Sequence, residues 1–411
     1  MCGVAFVFVL PKRVCRMDVS SLFSDRFGLE PQGAFFAPYR LCPLGAHTDH
    51  NLGLITGFAI DKGIRFAFCA QENGCMEAVS AQYPGAARWS LCRTPAVKQG
   101  DWADYLRGAT WALAKRHPLS VGLSGVIEGS LPIGGLSSSA AVTLGFLSCL
   151  CRVNHVELTD EEKIDLAQAA ERNYVGVACG KLDQACEVYG KKDRLLFMDM
   201  LDETKETIAQ PAAMKPYRIA VLFSGVERSL VGSRYNMRVD EAKSAAYALK
   251  AFAGLDYGKF DQTVLRDVPV EIFEAYKSRL PDPWRKRAEH WYGECSRVRQ
   301  GVQAWRDGDI ERFGALVFES GRSSIEQWQT GSPELIRLYE LMTQTDGVIG
   351  GRFSGAGFKG CCLAFLDPTK AEDALETIKR QYLRSYPDLA DRYTACLCRT
   401  ADGIATEEKT T

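Results

Sequence analysis

The chain has 411 residues, 46% apolar and 25% charged, with 50 basic against 51 acidic side chains and a formal net charge of −1. That balance excludes a disordered chain and carries no basic footprint for nucleic acid. The length suits two domains or one large α/β unit. Fifteen cysteines, odd in number and without a CxxC or Cys/His ligand cluster, read as reduced and mostly buried thiols of a cytoplasmic protein, not as a disulfide framework.

The opening run MCGVAFVFVL lacks a basic leader and an A-x-A-like cleavage site, and Pro11, Lys12 and Arg13 follow it. No signal peptide is expected, and Met17 is an alternative start. No stretch approaches ~20 uninterrupted apolar residues, so no membrane span is predicted. Residues 54–69, CMEAVSAQY and ARWSLC read as strands from their β-formers and imperfect alternation. DWADYLRGATWALAKR predicts a helix capped by Asp101. GLSGVIEG predicts a strand that runs through a glycine turn into the helix LSSSAAVTLGFLSCLC.

The next helix, TDEEKIDLAQAAERNYVG, opens on the capping pattern Thr159-x-x-Glu162 with acids in its first turn. YRIAVLFSG, residues 217–225, predicts a buried strand that begins a second half. Beyond it Ala288, Trp291, Tyr292, Cys295, Val298, Val302 and Trp305 share one helical face and read as core. The strand pair VIGGRFSGAGFKGCCLAFLD and a final helix, TKAEDALETIKRQYLRSY, complete an α+β pattern. The boundary is expected near residue 205, giving domains 1–205 and 206–411.

Three glycine segments carry the chemistry. In PIGGLSSSAA, Gly134 and Gly135 free the backbone for a concavity of N–H groups at a helix start, a phosphate site, while Ser137, Ser138 and Ser139 add hydroxyls for phosphate or Mg²⁺. A plain strand-to-helix turn capped by Ser137 explains the same residues. SGAGFKGCC, with Gly355 and Gly357, is either a hairpin turn or a second wall of a phosphate cleft. RLCPLGAHTDHNLG sets Arg40, Ala46, His47 and Asp49 among glycines. Phosphoryl transfer needs a metal ligand and an acceptor base. Glu171 and Asp183 are one assignment for these, and solvated surface acids are the other.

The three segments, in this order and with CGKLDQ and GSRYNMR between them, resemble the signature motifs of the GHMP small-molecule kinases, and RLCPLGAHTDHNLG resembles the galactokinase branch. The resemblance implies a two-lobed α+β fold. Its N-terminal lobe would have ribosomal-protein-S5-like domain 2-like topology, with a C-terminal α+β lobe beside it and the active site in the cleft. It implies Asp183 as catalytic base with Arg40 as its cationic partner, and Ala46, His47, Asp49, Gly180 and Tyr235 at the sugar. Gly134, Gly135, Ser137, Ser138, Ser139, Gly355 and Gly357 would hold ATP, and Ser139 with Glu171 would hold Mg²⁺. Trp102 is expected either near the nucleotide base or in the core. The partners implied are a small sugar and ATP, with no nucleic acid or membrane, in a monomer or weak dimer.

Ala46 departs from the branch, where the motif reads GEHTD. Loss of that Glu removes a charge-assisted hydrogen bond to a C6 hydroxyl, on the order of 1.5 to 3 kcal/mol. For a sugar carrying a C6 carboxylate it removes a repulsion of about 4 kcal/mol at 4 Å and an effective dielectric near 20. The electrostatics therefore favour galacturonate, or a substrate with little at C6 such as arabinose, over galactose, and the resemblance to the galacturonokinases tips the expectation to transfer to the anomeric hydroxyl of D-galacturonate. Galactose is the alternative, and a catalytically inactive sugar sensor is a third reading. Lys62, Lys359 and Arg238 are candidate cations for the carboxylate, and the pattern around Ala46 resembles the galacturonokinases within the branch.

Overall fold

The computed structural model describes residues 18–132, 134–226 and 232–407, so the opening apolar run and Met17 lie outside the described residues. In chain order the elements of the first half are α1 (Val19–Phe27), β1 (Gly33–Leu41), β2 (Leu54–Gln71), β3 (Cys75–Ser80), β4 (Ala86–Ser90), α2 (Asp104–Ala114), β5 (Gly122–Gly129), α3 (Ser138–Val153), α4 (Asp160–Ala169), α5 (Leu182–Tyr189), β6 (Arg194–Asp199) and β7 (Lys205–Ala209). The second half contains β8 (Arg218–Phe223), α6 (Gly232–Phe252), α7 (Val270–Tyr276), α8 (Asp282–Arg306), α9 (Ile310–Glu326), α10 (Pro333–Gln344), β9 (Val348–Phe353), β10 (Cys361–Leu366), α11 (Ala371–Ser385), β11 (Thr394–Cys398), β12 (Thr400–Ala401) and β13 (Ala405–Glu407).

The long β2 organises the larger sheet, with β1 antiparallel on one side and β5 on the other, then β3 parallel to β5 and β4 at the rim. The chain returns to this sheet at its far end, where β12 pairs with β2 and β13 with β1. The second sheet is antiparallel in the order β11-β8-β10-β9. The two halves share one apolar core. Phe58 of β2 packs against Trp305 of α8 and Phe365 of β10, with ring centroids 5.4 and 6.4 Å apart. Aromatic burial of this kind fixes the halves against each other.

Three local expectations need correction. Asp101 does not cap α2: its carboxylate pairs with Arg107 and accepts from Ala103 N, and the helix begins at Asp104. Ser137 makes no capping hydrogen bond to α3, and it sits at a left-handed φ of 59°. The helix expected over 159–176 has the full capping box at Thr159 and Glu162, but it turns into a π-helical segment over Ala170–Val175 and stops at Gly176. Such π turns widen the helix, and they recur at functional sites. All cysteines among the described residues are free thiols, and no helix among them is long and apolar enough to cross a membrane.

Candidate active site

Arg40 stands near the end of β1, almost fully buried, and its guanidinium joins three distant parts of the chain. Nε donates to Asp183 Oδ1 at 2.7 Å, while Nη1 donates to the Gly135 carbonyl at 3.1 Å and reaches Ser354 Oγ at 3.4 Å. Burial opposes its charge, but the carboxylate of Asp183 outweighs that and Arg40 stays protonated. Asp183 opens α5 and keeps 28% of its side chain exposed, against 3% for Arg40. A carboxylate oriented by a buried cation yet open on one side is placed to accept a proton.

The two glycine loops lie backbone against backbone. A Cβ on Gly360 would come 2.5 Å from Gly134 C, and one on Gly355 would come 2.9 Å from Gly135 Cα. No side chain fits between them, so these glycines serve loop contact whatever else they bind. Gly357, at φ 74°, packs on Thr330. Ser137 Oγ is buried without a hydrogen-bond partner, and Ser138 and Ser139 open α3.

Glu171 lies in the π-helical turn, 3% exposed, bonded by Gln184 Nε2 at 2.8 Å and by the Ser139 side chain. Burial, reinforced by Asp183, lifts its carboxyl to about 8. The Gln184 carbonyl oxygen beside it is buried and unpartnered. Ser139, Glu171 and Gln184 therefore present hard oxygen donors of the kind Mg²⁺ prefers. One turn after Asp183, Glu187 is fully buried, and neither carboxyl oxygen has a partner among the described residues.

Asp49 sits in a short 3₁₀ turn and accepts from Leu182 N at 3.2 Å. Burial and the nearby Asp183 raise it to about 6. Gly180 is explained by this carboxylate, because a Cβ there would lie 2.2 Å from Asp49 Oδ2. His47 adopts φ 63°, and its ring stacks on buried Trp328 at 5.0 Å and 6°. Burial first, then His290 and Arg352, keep this imidazole neutral. The Tyr235 ring lies 6.2 Å from His47, and burial next to Asp49 holds its hydroxyl well above the usual phenol range.

Arg40 thus joins Asp183 to the two glycine loops, and Asp49, Gly180, His47 and Tyr235 lie close to one another, but part of what holds them escaped the sequence reading. α8 grips the backbone of the first motif almost residue by residue. Glu294 Oε1 accepts from Gly45 N at 2.8 Å, His290 Nε2 lies 3.0 Å from the Ala46 carbonyl, and Trp291 Nε1 donates to the Thr48 carbonyl at 3.2 Å. Burial would raise Glu294, yet Arg297 and Arg352 pull it down to about 2. The available signal was His290 and Glu294 four residues apart beside an apolar helical stripe. Trp291 is core, as its spacing suggests, and is also a donor.

Of the candidate cations, Lys62 pairs with Asp61 at 3.2 Å and sits among the groups around Cys396 and Cys398. Arg238 pairs with Glu241 at 3.0 Å, one helical turn beyond Tyr235. Trp102 stacks on Tyr83 with ring planes 1° apart.

Three family signatures match the chain: the GHMP kinases N terminal domain over residues 104–191, the GHMP kinases C terminal domain over 300–384, and the galactokinase galactose-binding signature over 21–70. The galacturonokinase of Arabidopsis thaliana is 36% identical over 375 residues, covering 86% of this chain and 88% of the relative. A galactokinase of Roseiflexus sp. (strain RS-1) is 32% identical over 391 residues, covering 94% and 96%. The crystal structure of Lactococcus lactis galactokinase complexed with galactose superposes with a TM-score of 0.85 at 25% identity, covering 94% of this chain and 98% of that one. The mevalonate kinase of Methanococcus jannaschii, at a TM-score of 0.62 and 14% identity, shares the fold. With the Arg40–Asp183 pair and the joined glycine loops in view, the chain belongs to the GHMP kinase family and, within it, to the galactokinase branch of sugar kinases.

Proposed function

We propose that the chain transfers the γ-phosphoryl group of ATP to the anomeric hydroxyl of D-galacturonate, giving the 1-phosphate. The observation that carries the kinase chemistry is the Arg40 guanidinium, which holds Asp183 with one nitrogen and both glycine loops with another. Asp183 takes or orients the hydroxyl proton. Arg40 orients its carboxylate and meets the charge that develops on the transferring group. Asp49 accepts from a sugar hydroxyl, Tyr235 donates through a phenol that stays protonated, and neutral His47 offers a ring nitrogen.

Gly134 and Gly135 with Ser137 and Ser138 form the nucleotide wall from one side, and Gly355 and Gly357 from the other. Among the described residues the Ser137 hydroxyl and the Gln184 carbonyl oxygen are buried without a partner; the hydroxyl can donate to a phosphate and the carbonyl oxygen can ligate a hard cation. Ser139 and Glu171 would hold Mg²⁺, which when bound neutralises phosphate charge. The division into lobes 1–205 and 206–411 accompanies this reading, with Arg40 and Asp183 on one side and Tyr235 and the Ser354–Gly360 loop on the other, except that β7 runs past the boundary to Ala209 and β12 and β13 return to the first sheet.

Position 46 supports the uronate. Ala46 adds no anion to a loop that already carries Asp49, and both nearby cations, Arg40 and Arg352, are paired with carboxylates of their own. A C6 carboxylate is spared the repulsion of about 4 kcal/mol that a Glu at 4 Å would impose. A coupled ATPase assay with D-galacturonate and galactose decides the substrate. A larger kcat/KM for galactose would leave a galactokinase, and binding of sugar and ATP without turnover would leave a sensor.

A further inference from the structure

We propose that His290 is a positioning residue for the acceptor pocket: its imidazole fixes the Ala46 carbonyl and, through that peptide, the orientation of the His47 ring. The inference rests on the reading that residues 46–49 face the sugar. A carbonyl only accepts, so Nε2, 3.0 Å from Ala46 O, carries the hydrogen, which leaves Nδ1 as an acceptor 2.7 Å from Ser323 Oγ, a hydroxyl whose single hydrogen is shared with Gln327 Oε1 at 2.6 Å. The ring is fully buried, and burial lowers its protonation to about 4, so this single tautomer persists at neutral pH.

The next residue along is His47, whose φ of 63° is a left-handed conformation that a side chain adopts only when its surroundings demand it. Rotation of the 46–47 peptide is the motion that would relieve it, and the His290 bond is what prevents that rotation. Relaxation would carry the His47 ring off Trp328, 5.0 Å away and parallel to it. Glu294 at Gly45 and Trp291 at Thr48 anchor the loop on both sides, so loss of His290 acts locally. Arg40 bonds to Asp183 and the two glycine loops and not to the His290 turn, but Arg352, two residues before Ser354, reaches Glu294 at 3.4 Å, so the ATP KM is read beside the sugar KM as the control.

The test compares His290→Asn, which cannot extend an N–H to the Nε2 position, with His290→Gln, which can. Both are measured with D-galacturonate, galactose and ATP. In His290→Asn the sugar KM rises roughly tenfold, the cost of stranding one buried acceptor, with kcat and the ATP KM within about twofold. His290→Gln returns the sugar KM to within about threefold of the parent. Parallel losses in kcat and both KM values for Asn and Gln alike, with a lowered Tm, would make the residue merely structural and overturn the inference. So would an unchanged sugar KM in His290→Asn.

If His290→Asn does not fold, Ser323→Ala carries the question by removing the Nδ1 partner. A sugar KM raised about twofold or more at constant ATP KM supports positioning, and no change overturns it. Asp183→Asn is assayed beside these variants. Activity retained there sinks the acceptor-site reading itself, whereas an inactive Asp183→Asn with an unaffected His290→Asn sinks only this inference.

Discussion

Arg40 and Asp183, 143 positions apart in the chain, meet at 2.7 Å, and the same guanidinium reaches the Gly135 carbonyl at 3.1 Å. One side chain therefore joins the proposed acceptor base to the serine loop. Asp183→Asn keeps the shape and the Arg40 contact but cannot take a proton. Its kcat should fall by about 10² to 10⁴, with the ATP KM within a few-fold of the parent. Steady-state kinetics on both substrates checks this, and a loss confined to ATP binding would contradict the assignment of the base.

Ala46→Glu returns a carboxylate beside the sugar. For D-galacturonate, kcat/KM should drop about a thousandfold, following a repulsion near 4 kcal/mol, while galactose gains about ten- to a hundredfold from the restored acceptor. The ratio of the two is the measurement. If both sugars weaken together, the substitution has disturbed the loop and position 46 does not set specificity.

Gly360→Ala probes the loop contact. The new methyl would press on Gly134 C at 2.5 Å, from a residue at φ 101° where L side chains are strained. Separation of the loops should raise the ATP KM by about tenfold or more and lower Tm, with the sugar KM less affected. An unchanged ATP KM would mean that the loops pack together without shaping the nucleotide site.

Asp49 ionises at about 6, raised by burial and by Asp183. As a sugar acceptor it is effective when ionised, so kcat/KM for the sugar should fall about tenfold per unit below that value. Asp49→Asn should be lower throughout and lack this limb. A parent enzyme that held its sugar kcat/KM down to pH 5 would show that the ionised form is not the binding form.

The sequence made the fold's parts legible where periodicity and capping agree. α4 has the Thr159–Glu162 box that its residues advertise, and α8 buries the stripe of Ala288, Trp291, Cys295 and Trp305. Motifs located the cleft because glycines and serines are local signals. What stayed hidden are long-range partners. Nothing near Asp101 announces that Arg107 will claim its carboxylate, and nothing near Ala46 announces His290, 244 positions away. The glycines of the two loops read as phosphate binders, whereas their first physical reason is each other's backbone. Side-chain partnerships across the fold are set by packing, and one sequence does not reveal them.

Glu187 gives the last prediction. Its carboxyl is fully buried with both oxygens unpartnered among the described residues, and burial, then Asp183, push it well above the usual carboxyl range. A carboxyl raised in the folded state gives its full stability below the unfolded value, and that stability drains away as pH climbs toward the folded value. At neutral pH the group is therefore a liability. Glu187→Met, similar in volume and without the unmet hydrogen bonds, should stabilise the fold by about 1 to 4 kcal/mol at pH 7.5, a Tm gain of several degrees. The gain should shrink as pH is lowered and nearly vanish at about pH 4, where the unfolded chain too holds the proton. Denaturation of both proteins across pH 4 to 8 tests this. If Glu187→Met is the less stable protein at pH 7.5, then the carboxyl has a partner that stabilises it, and its place one helical turn behind Asp183 must be read as a functional bond.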